Sequence, residues 1–302
     1  MTRSKNHVKA MLAAVGVYTL WGFSFLASKL AQESATPFVL IAYRFDLAVL
    51  VLSIPVILGK VKIRLRGKNI KPLLLLGAME PCIYFIGEQY GLRYTNSAFS
   101  GLMIAVIPIV TLIMAAAFLK DRPSRAQWLF SLLSIAGIAL ISVVENSGGQ
   151  VQFIGVIFLI AAVISGSAYG VISRGISDEF SVYERTYFMQ LMGGVFYTVL
   201  AFAEHRGDLG AIIAPLANAD FVAAVLYLSL GASVAGYSLF NYAVANAPMA
   251  NVISLCNLTT VISVAAGIVL LGEPFSPVSL IAMFAVLVGI WGVQKFPPKE
   301  QN

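Results

Sequence analysis

Ten stretches of about 17–25 mostly apolar residues recur along this chain, each long enough to cross the ~30 Å hydrocarbon core of a bilayer as a helix. They run approximately over residues 9–30, 37–58, 72–92, 97–119, 126–143, 152–173, 184–203, 220–240, 248–270 and 277–294. A soluble fold is excluded, because one core of 302 residues cannot hide so much apolar surface: 59% of the chain is hydrophobic and 11% charged, against about 25% charged in a soluble domain. The expectation is an all-α integral membrane protein of ten transmembrane helices. Its apolar surface faces lipid, and its few charges collect in loops or at buried functional positions.

Lysine and arginine set the orientation, since they are retained on the cytoplasmic side. With the N-terminus inside, all of them except Lys29, Arg44, Arg93 and Arg206 fall on that side, including Arg174, Arg185 and the basic run from Lys60 to Lys71. Both termini are then cytoplasmic. The net charge of +6 reads as topology and headgroup anchoring rather than nucleic-acid binding. The first apolar run follows Arg3, Lys5 and Lys9, but it is too long for a signal peptide and no small-residue cleavage pattern follows it, so it is read as the first membrane helix. Cys82 and Cys256 lie in apolar stretches with no CxxC or Cys/His spacing, and His7 and His205 join no catalytic arrangement. No metal, no cofactor and no enzyme activity are expected.

The second half reproduces landmarks of the first at an offset of 152 residues. Phe85 pairs with Tyr237, Tyr90 with Tyr242, Ala98 with Ala250, Leu119 with Leu271, Asp121 with Glu273, Ser124 with Ser276, Gly137 with Gly289 and Ile138 with Ile290. This divides the chain into residues 1–147 and 148–302, each a five-helix repeat. Five crossings is an odd number, so the second copy enters the membrane from the opposite side. Inverted repeats of this kind give secondary transporters two near-equivalent states open to opposite sides.

Ionisable groups within a membrane helix are costly unless paired or wet, which makes each a functional candidate. Glu80, Tyr84 and Glu88 recur every four residues, so each is rotated about 40° from the last and all three share one stripe of the third helix. Gly77 and Gly91 extend that side with room for a ligand or a close helix, and Pro81 leaves a carbonyl one turn earlier free. The two carboxylates are about 12 Å apart along the axis, too far to share a proton. One reading has both glutamates lining a cavity that attracts a cationic or amine-bearing substrate and exchanges it for a proton. In the other, one of them neutralises Arg44, which lies at a similar depth in the neighbouring helix. Asp46 is turned about 200° from Arg44, so the two cannot pair on one face. In the second half Gln190 stands near the position matching Arg44, which assigns the charge chemistry to the first half.

The order and spacing of several motifs resemble the drug/metabolite transporter superfamily in its ten-helix EamA-type branch. They are Trp21-Gly22-Phe23-Ser24-Phe25, Arg44, the stretch from Gly91 to Ala98, Pro108, and the exit Leu119-Lys120-Asp121-Arg122. Asn241 to Ala250 and Leu270 to Pro274 look like the same motifs repeated, with Thr260 where a proline would mirror Pro108. The resemblance covers essentially the whole chain. It implies two EamA-like repeats and a central cavity lined by helices one, three, four, six, eight and nine, with export by alternating access. Across the superfamily it implies substrates as varied as amino acids, nucleobases, nucleotide-linked sugars and cationic drugs.

On the helices so placed, Trp21, Tyr84, Tyr169 and Tyr237 could cage a cation or stack on a ring. Asn241 and Asn257 could hydrogen-bond a substrate, although small polar groups also hold membrane helices together, as Ser165 to Ala168 are expected to do. The candidate substrate-binding set is therefore Trp21, Glu80, Tyr84, Glu88, Tyr169, Tyr237, Asn241 and Asn257, with Arg44, Asp46, Glu80 and Glu88 for coupling or charge pairing. The chain contains no GxxxxGK[ST] loop. The leading expectation is thus a gradient-driven or facilitative exporter of a small amine-bearing, cationic or aromatic metabolite or drug in a bacterial inner membrane. Its partners are a small-molecule substrate, the lipid bilayer and a proton or another coupling ion; no nucleic acid is among them, and the chain acts as a monomer or weak homodimer. The alternatives are an exchanger of phosphorylated or nucleotide-linked compounds, which wants more buried cations than Arg44, and an amphipathic-lipid transporter or flippase.

Overall fold

The computed structural model describes residues 2–94, 103–104, 106–119, 123–145, 152–271 and 277–296. Thr95 to Ala98, Lys120 to Arg122, the boundary at 147/148, Gly272 to Pro274, Ser276 and Lys299 lie outside the described residues, as do the side chains of Arg3, Lys5, Phe25, Lys29, Arg93, Ile138 and Thr260. Helix α1 spans Thr2–Gln32 and α2 spans Pro37–Ile57. The start of α2 follows from its sequence: the Thr36 side chain accepts from the Val39 N–H, and Pro37 sits in the first turn, where no donor is needed.

The third apolar stretch is not one regular helix. It is built from α3 (Lys71–Gly77), a π-helical segment (Ala78–Ile83) and α4 (Tyr84–Tyr94). Glu80 within the π segment has non-helical dihedrals, φ −140° and ψ 119°, and the Glu80–Pro81 peptide is cis. Pro81 has no N–H for the helical ladder, which is where a wider turn forms. The Tyr197 hydroxyl lies 3.2 Å from the Pro81 carbonyl and 3.0 Å from that of Cys82, donating to this loosened turn.

Then come α5 (Ile107–Phe118), with Pro108 in its first turn, α6 (Arg125–Glu145), α7 (Phe153–Gly175) and α8 (Val182–Glu204). A short α9 (Leu209–Ile213) and one 3-10 turn (Ala214–Ala217) lead to α10 (Ala219–Leu226), a second π segment (Tyr227–Gly236) and α11 (Tyr237–Asn246). The chain closes with α12 (Met249–Ser254), α13 (Asn257–Leu271) and α14 (Pro277–Lys295). The ninth stretch is broken between α12 and α13 although Thr260 is not a proline. Among the described residues five helices are long and apolar enough to cross a membrane: His7–Gln32, Pro37–Ile57, Phe153–Gly175, Val182–Glu204 and Ala219–Asn246. Ile107–Phe118, Met249–Thr259 and Phe284–Val293 are shorter apolar helices.

Helix α2 packs on α8 and α6 on α14; α1 packs on α11 and α13, and α7 on α4 and α5. Gly77 and Gly91 leave room for neighbouring helices, facing Met192 of α8 and Leu159 of α7. Two of the contacts join residues 152 apart: Thr198 Oγ1 donates to Asp46 Oδ2 at 2.6 Å, and Ser134 Oγ donates to the Val286 carbonyl at 3.3 Å. Both ends of the bundle are bridged by loops. At one end Glu184 accepts from the Arg64 N–H (2.8 Å) and from Lys68 Nζ (3.1 Å), and Glu179 from the Asn69 N–H (3.2 Å). At the other, Thr36 Oγ1 donates to Glu204 (2.6 Å) and Asn218 Nδ2 to Ser34 (2.7 Å). Leu12, Leu50, Val199, Val269 and Phe284 are exposed while Arg44, Glu80, Arg185, Gln190 and Asn241 are buried. Apolar side chains outside and polar ones inside is the distribution a lipid solvent selects.

Candidate functional site

Glu80 is 8% exposed and takes a 2.6 Å hydrogen bond from the Tyr237 hydroxyl, across from α11. Among the described residues no basic side chain lies within 4.0 Å of its carboxylate. The Tyr237 ring belongs to an aromatic group: its centroid is 5.1 Å from Trp21 and 5.8 Å from Tyr169, and Phe240 lies 5.6 Å from Trp21 and 5.4 Å from Tyr169. Through Tyr237 the buried carboxylate is thus joined to an aromatic group drawn from α1, α7 and α11. Trp21 is oriented by donating Nε1–H to the Ala232 carbonyl at 2.9 Å, inside the second π segment.

At the start of α4, Tyr84 donates to Glu88 Oε1 at 3.1 Å, so residues 84 and 88 meet as a four-residue spacing predicts, whereas Glu80 lies in the π segment with non-helical dihedrals and has Tyr237 as its own partner. Arg44 forms an ion pair with neither glutamate. Its Nε donates to Ser233 Oγ at 2.7 Å, and its guanidinium lies 5.5 Å from the Phe45 ring centroid and 5.2 Å from that of Phe85. Gln190 reaches the same residue, donating to the Ser233 carbonyl at 3.3 Å. Asp46 points to α8, where Thr198 is its partner, which is what a 200° separation from Arg44 requires.

A second polar group surrounds Asn241. Its Oδ1 accepts from Tyr169 (3.1 Å) and Ser173 (2.5 Å), and its Nδ2 donates to Thr186 (3.0 Å). Beside it Arg185 is wholly buried, donating Nη1–H to the Ser173 carbonyl and hydroxyl, both at 2.6 Å, and Nη2–H to the Asn241 carbonyl at 2.9 Å. Arg185, counted from sequence among the cytoplasmic-side basic residues, points into the protein. Two clefts, ≈ 530 and ≈ 310 Å³, lie at the loop end around Ser34 and Ala211 and include none of these residues.

A family model for EamA-like transporters matches residues 8–143 and again residues 153–294. The chain belongs to the EamA-like transporter family. It is a multi-pass membrane transporter, similar over nearly its full length to several bacterial transporters. The uncharacterized transporter YcxC of Bacillus subtilis is 29% identical over 286 residues, covering 94% of this chain and 92% of that one. A Streptantibioticus cattleyicolor protein named a probable terminal-alkyne amino-acid exporter is 26% identical, covering 93% of this chain and 92% of its own. The uncharacterized inner membrane transporter YedA of Escherichia coli is 26% identical, covering 95% and 92%. One crystal structure superposes with a TM-score of 0.78 at 18% identity, covering 94% of this chain and 98% of that chain, a likeness of fold.

Within this EamA-like fold Trp21, Glu80, Tyr169, Tyr237 and Asn241 are joined by direct contacts, and Tyr84 and Glu88 continue along α4. Asn257 stands apart, its amide donating to Ser134 of α6 at 2.6 Å. Ser165 and Ser167 are buried, the latter donating to the Ile107 carbonyl at 3.3 Å, as a packing face does. Phe240, Tyr18 and Ser233 are not among the sequence candidates, and Arg185 enters there only through the charge bias of the loops. Phe240 and Tyr18 each lie three residues from a named aromatic on the same helix, a spacing that puts them on its face.

Proposed function

We propose that this chain is a secondary transporter that exports a small amine-bearing, cationic or aromatic compound across the inner membrane by alternating access. The observation that carries this is Glu80: a buried carboxylate with no cationic side chain within 4.0 Å among the described residues, held by Tyr237, whose ring in turn packs with Trp21 and Tyr169. A substrate ammonium would complete the missing charge pair and lie against ring faces, which attract cations. Tyr84 and Glu88 form the next acidic step along the same stripe. Arg44, over two rings, sets the local field opposite the acids.

Ten spans in two inverted repeats, residues 1–147 and 148–302, are the architecture in which this site would work. The double match to the family model supports it, as do π segments at 78–83 and 227–236, which correspond at the 152-residue offset. So does the pairing of α2 with α8 and α6 with α14, each helix meeting its own counterpart, with contacts at Asp46–Thr198 and Ser134–Val286. A two-fold axis brings equivalent residues together only where it passes through the contact. The 64–69 loop touching 179–184, and 34–36 touching 204–218, fit an even number of crossings between the joined loops.

The test is counterflow of phenethylamine into proteoliposomes holding wild type, Glu80→Gln or Glu88→Gln, with folding checked by size-exclusion profile. Glu80→Gln should lose at least about tenfold in rate, the value of one charged hydrogen bond. Unchanged uptake in both variants would remove the acidic site from the mechanism.

A further inference from the structure

The turn that carries Glu80 is seated on one face of α8. Gly193 and Tyr197 stand four residues apart on that helix, a spacing that puts one above the other. A Cβ at Gly193 would lie 2.5 Å from Pro81 Cγ, so the glycine is the hollow into which the proline ring fits. One turn along, the Tyr197 hydroxyl is shared between the Pro81 carbonyl at 3.2 Å and the Cys82 carbonyl at 3.0 Å. Met192 adds a contact just before the π segment, its Sδ lying 2.5 Å from where a Cβ of Gly77 would be. Tyr197 is 0% exposed, and its ring packs with those of Phe38, Phe45 and Phe196 at centroid distances of 6.1, 6.2 and 5.2 Å. The hydroxyl is therefore presented from a fixed direction.

Glu80 needs support of this kind. In a regular helix the hydrogen-bond ladder fixes the direction of each side chain, but Glu80 has φ −140° and ψ 119° inside the π segment, so the ladder does not set its direction. What sets it is the place of the next residue, Pro81, and the 2.6 Å bond from Tyr237. Tyr237 fixes the carboxylate end of the side chain and α8 fixes the backbone end. We propose that Tyr197 is a positioning residue: without touching the substrate, it holds the 80–82 turn so that the Glu80 carboxylate meets the amine. The proposal rests on the acidic site proposed above, whose geometry it supplies. A binding group works only when its supports hold it to within about 0.5 Å, and a turn released from α8 loses that hold. Tyr43 offers the contrast, since its hydroxyl also donates to a backbone carbonyl, that of Ile212 at 3.2 Å, but in α9 and outside the acidic group.

The experiment takes two measurements on the purified full-length chain: calorimetric affinity for phenethylamine, and the rate at which Cys82 reacts with a small maleimide in a Cys256→Ser background, which needs no ligand. Tyr197→Phe is expected to weaken phenethylamine binding about tenfold, the equivalent of one buried hydrogen bond. It should also speed Cys82 labelling about tenfold, because the turn opens more often. In a Glu80→Gln background the same change should have no further effect on affinity, since Tyr197 acts through the carboxylate. Tyr43→Phe should alter neither measurement. Gly193→Ala keeps the hydroxyl but displaces Pro81, so it should reproduce both effects, and it serves where Tyr197→Phe does not fold. Wild-type affinity in Tyr197→Phe or in Gly193→Ala, while Glu80→Gln loses the amine, overturns the proposal and leaves the acidic site standing. An equal loss of affinity with and without Glu80→Gln overturns it too, because the hydroxyl then acts elsewhere. If Glu80→Gln alone binds phenethylamine as wild type does, the function proposed above falls; Cys82 labelling then decides whether Tyr197 holds the turn, an unchanged rate in Tyr197→Phe refuting it and a raised one upholding it.

Discussion

Gly87→Ala measures how closely α4 is held to α7. A Cβ at this position would lie 2.6 Å from the Phe158 carbonyl oxygen and 2.9 Å from both Cβ and N of Ala162. Two of those atoms are α7 backbone, which cannot swing aside as a side chain can. Restoring ordinary contact at 3.4 Å therefore means parting the helices locally by about 0.8 Å. A gap of that size forfeits about a quarter to a half of the dispersion energy of each facing atom pair. Overpacking costs about 1–3 kcal/mol, and against it alanine gains about 1 kcal/mol over glycine in a helix interior, so the expected net is a destabilisation of up to about 2 kcal/mol, and of about 1–3 kcal/mol relative to an unobstructed Gly→Ala change. Unfolding in a fixed mixed-detergent system, followed by tryptophan fluorescence, reads the difference. Gly16→Ala is the control, because its Cβ would meet only Leu239 Cδ1, at 3.4 Å, and the substitution should be neutral or stabilising. If Gly87→Ala proves as stable as Gly16→Ala, the close approach of α4 and α7 is refuted. Because Glu88 follows Gly87 directly, transport should fall along with stability.

Ser233→Ala leaves the buried Nε of Arg44 without its acceptor and should cost about 1–3 kcal/mol in the same unfolding assay; a change under about 0.5 kcal/mol would argue against that hydrogen bond. Glu184→Gln weakens the capping box of α8 and the Lys68 pair together, with an expected loss of about 1 kcal/mol that shrinks in high salt, seen as a salt-dependent midpoint. Tyr237→Phe, Glu80→Gln and the double variant form a cycle whose coupling in phenethylamine affinity should reach at least about 1 kcal/mol, since each single change removes the same 2.6 Å bond; additivity within about 0.5 kcal/mol would separate the two residues.

Much of the helix plan was legible in the chain. Pro37 and Thr36 mark the start of α2, and the spans expected at 152–173 and 184–203 became Phe153–Gly175 and Val182–Glu204, because apolar length and caps are local properties. The third stretch was harder, since hydropathy records composition and not hydrogen-bond register; Pro81 flagged the irregularity but not the π turn around it. Azimuth was not readable: places along the helices left Arg44 free to pair with a glutamate, yet Arg44 turns to Ser233. Arg185, near a helix end, counts from sequence only toward the charge bias of the loops, yet its side chain is buried. Glu184 in the capping box folds back over the α8 terminus, and the next residue, about 100° around the helix, faces inward. Tertiary contact, not sequence position, decided that Trp21, Tyr169, Tyr237 and Asn241 meet while Asn257 packs elsewhere.

The contact between Asp46 and Thr198 has a bearing on how such a chain can change over generations. Positions 152 apart that touch are each other's environment, so a substitution at one is also a change in the surroundings of its counterpart. Two aspartates there would place like charges face to face away from water, and two threonines would carry no charge at all. A single carboxylate with a hydroxyl donor is available only to halves joined in one chain, free to differ in sequence where they meet.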